Sequence, residues 1–243
     1  MSATRGLVAD VVRSSLVDGP GNRYVVFVQG CTFNCVACHN PHTIPRRTTA
    51  SSCWREVDDL VDDIAEAAPF LSGVTVSGGE ATSQWQFVCE LFQRLAADPR
   101  TADLGRLVDT NGDAESFVWR ELAPWMDGAM VDLKALDPDV HQVLTSRGNE
   151  RVLASIEELS WLGRLHELRL LIVPGVNDTT EQVAATAAWI ERLDPVPPVV
   201  VLGFRREGTR PAARRWPEAE PHHLGAVVDT LAAHGVTATQ RPG

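Results

Sequence analysis

Two hydrophobic patterns take turns along the chain. One is a short unbroken apolar run; the other is a longer stretch with apolar residues every three or four positions. The run over 24–30, rich in β-branched and aromatic residues and ended by glycine, predicts a strand. Over 52–68, Val57, Leu60, Val61, Ile64, Ala65 and Ala68 share one helical face, while Asp58, Asp59, Asp62, Asp63 and Glu66 take the other. The alternation then repeats, with strands predicted over 73–77, 106–110, 129–133, 167–173 and 198–204. Helices are predicted around 87–95, 115–122, 151–162, 180–193 and 222–234. Six strand-then-helix units, with strands too uniformly apolar to be half exposed, predict an α/β fold with a parallel sheet covered by helices. Right-handed crossovers allow a doubly wound sheet or a curved, incomplete barrel, and periodicity does not choose between them. No linker or shift in composition divides the chain, so a single domain over 1–243 is expected.

Charge narrows the partners. With Lys+Arg 22 against Asp+Glu 32, the net charge of −10 argues against a surface built for nucleic acid. No apolar run is long enough to span a bilayer, and the opening Met1-Ser2-Ala3-Thr4-Arg5 lacks the apolar core of a secretory leader. The expectation is a soluble, cytoplasmic protein with no membrane partner.

Five cysteines are unevenly spread: Cys31, Cys35 and Cys38 form a CxxxCxxC motif directly after the first predicted strand, while Cys53 and Cys89 stand apart. In a reducing compartment such a cluster points to metal rather than disulfides. Three thiolates on one loop suit an iron–sulfur cluster, zinc or copper(I). Only three ligands are local. Either His39, His42, Cys53 or a distant residue completes the set, or one iron is left open as a reaction site. Cys89, beside Val88 on an apolar helical face, reads as core.

The motifs around this cluster carry a resemblance. Val17-Asp-Gly-Pro-Gly-Asn-Arg23 precedes it and His39-Asn40-Pro41 closes it; Ser77-Gly-Gly-Glu80, Asp109-Thr-Asn-Gly112, Met130-Val-Asp-Leu-Lys134 and Arg169-Leu-Leu-Ile-Val-Pro-Gly175 follow in order at the ends of predicted strands. Over nearly its whole length the chain resembles the radical S-adenosylmethionine (SAM) superfamily. Within that superfamily it is similar to the glycyl-radical-enzyme activating enzymes, the group of pyruvate formate-lyase activating enzyme. Ala68-Pro-Phe70, Ala81-Thr82, Asp127-Gly-Ala129 and His141-Gln142 look nearest to the YjjW-type activases.

The resemblance implies a partial (β/α)6 TIM-like barrel and one [4Fe-4S] cluster held by Cys31, Cys35 and Cys38, with SAM on the open iron. It implies reductive cleavage of SAM to a 5′-deoxyadenosyl radical that takes hydrogen from a glycine of a partner glycyl radical enzyme, with flavodoxin or ferredoxin as reductant and a monomeric chain. Ser77, Gly78, Gly79 and Glu80 would meet the SAM ammonium, Glu80 having a helix-end carboxylate as its plain alternative. Arg169 would pair with the SAM carboxylate, or make an ordinary ion pair. Lys134 and Asp109 would belong to the same pocket. Asp109, Thr110, Met130 and Asp132 match positions that bind a monovalent cation, with capping and turn bonding by Asp109 and Thr110 as the plain alternative. His39 would support the cluster, and Asp18 and Arg205 would face the partner. Two departures stand out: Ala37 replaces a usual aromatic near adenine, and the ferredoxin-like insert of YjjW-type activases is missing, which predicts a single cluster. The run Arg205, Arg206, Arg210, Arg214, Arg215 reads as a solvated face or a grip on a partner. Two other readings stay open at this point: a radical SAM enzyme acting on a small molecule or peptide, and a non-enzymatic electron carrier or zinc module.

Overall fold

The computed structural model describes residues 4–241; most of the opening pentapeptide, in which no leader was read, lies outside them. The described chain gathers into two compact units, one of residues 4–32, 42–110 and 114–129, the other of residues 33–41, 111–113 and 130–241.

The first unit is built on strands β1 (Arg5–Ser15), β2 (Arg23–Val28), β3 (Cys53–Glu56), β4 (Gly73–Gly78) and β5 (Gly105–Thr110), in spatial order β3-β1-β2-β4-β5. β1 pairs antiparallel with β2 and β3, whereas β2, β4 and β5 are parallel, with Val28 opposite Gly78 and Val76 opposite Val108. Helices α1 (Val57–Ala67), α2 (Trp85–Ala97) and α3 (Ser116–Leu122) bury the predicted apolar faces, with Leu60, Ile64, Leu91, Phe92 and Leu122 wholly inside. The acidic face of α1 stays outside, and Arg13 and Arg100 reach its Asp63 and Asp62.

A buried cation ties the parallel strands of this unit together. Arg23, 2% exposed, donates from Nε to Thr75 Oγ1 at 2.6 Å and from Nη2 to the carbonyls of Val74 (2.6 Å) and Gly105 (2.8 Å). A side chain at Gly73 would collide with its guanidinium, which explains the glycine there. Burial pulls Arg23 down to about 10, and Asp127 partly offsets this, so the side chain is charged at neutral pH.

The second unit holds β6 (Gly128–Leu133, from Met130 on), β7 (Leu165–Ile172), β8 (Val199–Gly203) and β9 (Ala238–Arg241), in that spatial order, β7, β8 and β9 being parallel. Helices α4 (Pro138–Thr145), α5 (Glu150–Trp161), α6 (Thr180–Ile190) and α7 (Pro221–Ala233) belong to it. Asp137 caps α4 by accepting from the amides of Asp139 and Val140, and Thr179 with Gln182 forms a capping box on α6.

All six predicted strands and six predicted helices are present within a few residues of their expected ends. β1, β3, β9 and α4 come in addition. The expected helix over 52–68 begins only at Val57, because its first residues form β3 on the β1 edge. Among the described residues no helix is long and apolar enough to cross a membrane.

Candidate active site

In the first unit the chemical residues gather where the parallel strands end. Cys31 follows β2 in a segment held by two main-chain bonds, Gly30 N donating to Thr43 O (2.7 Å) and Cys31 N to Ile44 O (3.1 Å), and by the side chain of Arg46, whose Nε donates to Cys31 O (3.0 Å). The Ser77 to Glu80 turn lies against that segment. Gly79 N donates to Val28 O at 2.9 Å and Glu80 N to Gly30 O at 2.8 Å. A Cβ on Gly79 would sit 2.3 Å from the Gly30 oxygen, and one on Gly78, whose φ is +114°, 2.3 Å from Val28 N. The two glycines are therefore required by backbone meeting backbone, a reason the sequence did not reveal.

Beyond the glycines, Ser77 Oγ donates to Asp109 Oδ2 at 2.7 Å. Glu80, 1% exposed, accepts on Oε1 from Thr82 N (2.9 Å), Thr82 Oγ1 (2.7 Å) and Thr110 Oγ1 (2.7 Å). Glu80 thus caps the short helical turn over 81–84, and Thr110 braces its carboxylate. Asp18 lies elsewhere in this unit. It precedes β2, at the end where the parallel strands begin, with its carboxylate accepting from Ser15 Oγ (2.5 Å) and its carbonyl from Thr75 Oγ1 (2.7 Å). Cys53 is exposed on β3, and Cys89 is buried in α2 with its sulfur facing Glu121 O, so neither joins the turn.

In the second unit the loop carrying Cys35 and Cys38 is docked on the end of α4. Asn34 N and Val36 N each donate at 3.0 Å, to the carbonyls of Thr145 and Leu144, which the helix leaves without internal partners. Phe33 is buried edge-on to His141, 5.4 Å between ring centres. Ala37 is buried in a core of Leu144, Val173, Phe204, Ala213 and Trp216. The small residue in place of an aromatic thus packs into protein, which is why position 37 offers no ring to a nucleobase.

Burial pushes the Cys35 thiol up to about 11 and raises Cys38 as well, while the cations Lys134 and Arg210 pull both down. Burial alone would depress Lys134; Asp132 at 2.7 Å and the two thiols reverse this and hold it above its ordinary value. Arg169 Nε pairs with Glu167 Oε1 at 2.7 Å, Arg241 Nη2 reaches Glu167 Oε2 at 3.0 Å, and Arg169 Nη2 lies 2.9 Å from Met130 Sδ. His39, exposed, donates from Nε2 to Arg205 O at 3.2 Å.

Three residues here escaped the motifs. Glu167 orients Arg169; its signal was a lone acid two residues before Arg169 in an apolar strand. Asn177 donates to the carbonyls of Lys134 (2.8 Å) and Leu171 (2.7 Å) and accepts from Val173 N, stitching the loops after β6 and β7. Arg210, one of a run read as a solvated face, donates to Asn34 Oδ1, Asn34 O and Cys35 O.

The donor set of this loop fits an anionic, thiolate-held cluster. Its cysteines are flanked by two cations, and Arg210 Nε is buried with no hydrogen-bond partner among the described residues, so a buried N–H awaits an acceptor. A structural zinc would need a fourth protein ligand; the motif supplies three cysteines.

Comparison with known proteins agrees. The model of the radical SAM superfamily matches residues 25–189. A pyruvate formate-lyase-activating enzyme of Staphylococcus epidermidis is 32% identical over 84% of this chain and 83% of its own length. One of Streptococcus mutans is 32% identical over 84% of this chain and 79% of its own. Among solved structures, a radical SAM methyltransferase from Sphaerobacter thermophilus superposes with a TM-score of 0.70 at 19% identity, covering 98% of this chain and 77% of its own. A domain of a pyruvate-formate lyase-activating enzyme from Bacteroides vulgatus gives 0.60 at 22% identity, covering 70% of this chain and 99% of the domain. These likenesses establish the expected fold, the partial barrel of that superfamily.

Proposed function

We propose that this chain, which belongs to the radical SAM superfamily and within it to the family of pyruvate formate-lyase-activating enzymes, installs a glycyl radical on a partner enzyme. The observation that carries the reading is positional: in the first unit Ser77 to Glu80 and Asp109 with Thr110 each lie at the carboxyl end of a parallel strand, the edge where such folds do chemistry, and in the second unit Asp132 with Lys134 lie at the carboxyl end of β6.

Cys31, Cys35 and Cys38 would hold the [4Fe-4S] cluster. When bound, the cluster would supply the single electron that reductive cleavage of SAM to methionine and the hydrogen-abstracting group requires. The protein's own residues bind and orient. Lys134, braced by Asp132, and Arg210 place positive charge by the thiolates. Arg169, already aligned by Glu167, offers a planar cation to the carboxylate of SAM. The turn over 77–80 has its Gly79 and Glu80 amides committed internally, so it would meet the SAM amino group with acceptor oxygens. Asp109, Thr110, Met130 and Asp132 would supply oxygen ligands to a monovalent cation. We assign His39 to support of the cluster loop, and Asp18 and Arg205 to contact with the partner. Flavodoxin or ferredoxin would deliver the electron to a monomeric, cytoplasmic enzyme folded as one domain over 1–243.

Anaerobic reconstitution with iron and sulfide, followed by SAM and dithionite, should yield 5′-deoxyadenosine. Addition of a glycyl radical enzyme from the same cell should then give the doublet of a glycyl radical in electron paramagnetic resonance. Cleavage of SAM without any such doublet, across every glycyl radical enzyme of that cell, would leave the superfamily and reject the activase.

A further inference from the structure

The segment over 204–216 does not behave as a free basic face. Phe204 and Trp216 anchor its two ends, 6.1 Å apart edge to face, in the same core that buries Ala37. Between them the chain wraps the cysteine loop at three points. Arg205 O accepts from His39 Nε2 at 3.2 Å. Gly208 packs on His39, where a Cβ would meet the His39 oxygen at 3.4 Å. Arg210 donates from Nη1 to Asn34 Oδ1 at 2.7 Å and from Nη2 to Asn34 O at 2.6 Å, and it also bonds Cys35 O. The opposite side of the loop hangs on α4 through Asn34 N and Val36 N.

We infer that residues 204–216 form a strap that sets the shape of the cluster loop, and that Arg210 is its positioning residue, fixing the Cys35 backbone with one part of its guanidinium and presenting the buried Nε–H and its charge to the thiolate side. Two properties of this side chain act separately. The planar fork reaches two successive carbonyls and an amide oxygen together, which lysine cannot do. The positive charge favours whichever cluster state carries more negative charge, so it raises the reduction potential, and lysine can replace that part. Because Arg210 sits on a strap rather than on the motif strand, no cysteine spacing announces it.

The inference rests on Cys35 being a cluster ligand, and its first test does not need iron. Hydrogen exchange of the iron-free chain should show the amides of residues 33–38 opening about tenfold or more faster in Arg210→Gln, the size expected for losing charge-assisted hydrogen bonds. Arg210→Lys, which keeps the charge and at most one bond, should fall between the two. Strands β7 and β8 should keep wild-type protection. In reconstituted protein, both variants should lose iron to a chelator faster than wild type, whereas only Arg210→Gln should move the cluster potential to more negative values. Unchanged exchange over 33–38, loss of protection spread evenly into β7 and β8, failure of both variants to fold, or a potential that moves equally in both would each overturn the assignment. Failure of the activase reading shows instead as missing SAM cleavage or glycyl radical in wild type, with the exchange result intact.

Discussion

Replacing Gly79 by alanine tests the backbone packing that shapes the 77–80 turn. The added Cβ would lie 2.3 Å from the Gly30 oxygen and 2.7 Å from both the Gly30 carbon and the Thr43 oxygen. All three are main-chain atoms, so no side chain can swing away. Relief must come from separating the 77–80 turn from the Gly30 segment, which stretches the bonds from Gly79 N to Val28 O and from Glu80 N to Gly30 O. Two such bonds at about 1 kcal/mol each, added to an overpacking cost of about 1–3 kcal/mol, give about 3–5 kcal/mol. That is a large part of the roughly 5–15 kcal/mol that holds an ordinary domain together. The assay is urea unfolding of the iron-free chain by circular dichroism. Gly163→Ala serves as the control: its φ of +63° disfavours a side chain, unlike the backbone of Gly79, but nothing lies within 4 Å of the added atom, so only about 1–2 kcal/mol is expected. If Gly79→Ala unfolds at the control's midpoint or above, the close approach described here does not constrain the turn, and the reasoning fails.

Gly225→Ala, inside α7 with open space around the new atom, should stabilise the protein by about 0.5–1 kcal/mol, read as a raised urea midpoint. His141 donates from Nδ1 to Arg147 O at 2.9 Å, and its buried Nε2 has no partner among the described residues; burial holds its pKa below the ordinary 6.5. The unfolded chain therefore takes up this proton first as the pH falls, so the stability present above pH 6.5 should decline below it, and His141→Phe should flatten that slope in urea midpoints measured across the acid range. Cys35→Ser should abolish cluster assembly, whereas Cys53→Ser, changing an exposed thiol on β3, should leave iron content and the visible absorption band unaltered. Equal loss from both would overturn the ligand assignment.

The parallel strands were legible because both their faces are covered. Val74, Val76, Val108, Val131 and Leu168 are all wholly buried, so their runs have no polar alternation to blur them. β1 was not legible: Leu7, Val8 and Ala9 are buried, but Arg13 and Ser14 are exposed, and its pairing with β3 is a long-range event that no local pattern encodes. β3 is four residues long, and α4 is a helix of eight that begins at a proline; each is too short for a periodicity to show. At the site, sequence located the residues but not what they touch. Glu80 carried two readings, ligand contact and helix end, and only the bond geometry shows Oε1 filled by Thr82 and Thr110. Arg210 carried two readings as part of its run, a solvated face and a grip on a partner, and nothing local says that one of five arginines folds back 175 residues to Cys35.

The arginine laid beneath the first sheet has a consequence for how this sequence can drift. Apart from Thr75, every acceptor it uses is a peptide oxygen, at Pro20, Val74 and Gly105. Peptide oxygens survive mutation, so the suture cannot be undone by changing the residues that supply them. It can be cut at Arg23 itself, or by a side chain at Gly73 or Gly19 that takes the place of the arginine, and a change at Thr75 removes one bond. Three strands thereby hang on one arginine and the few positions that touch its side chain, while the residues that lend only peptide oxygens are at liberty to wander.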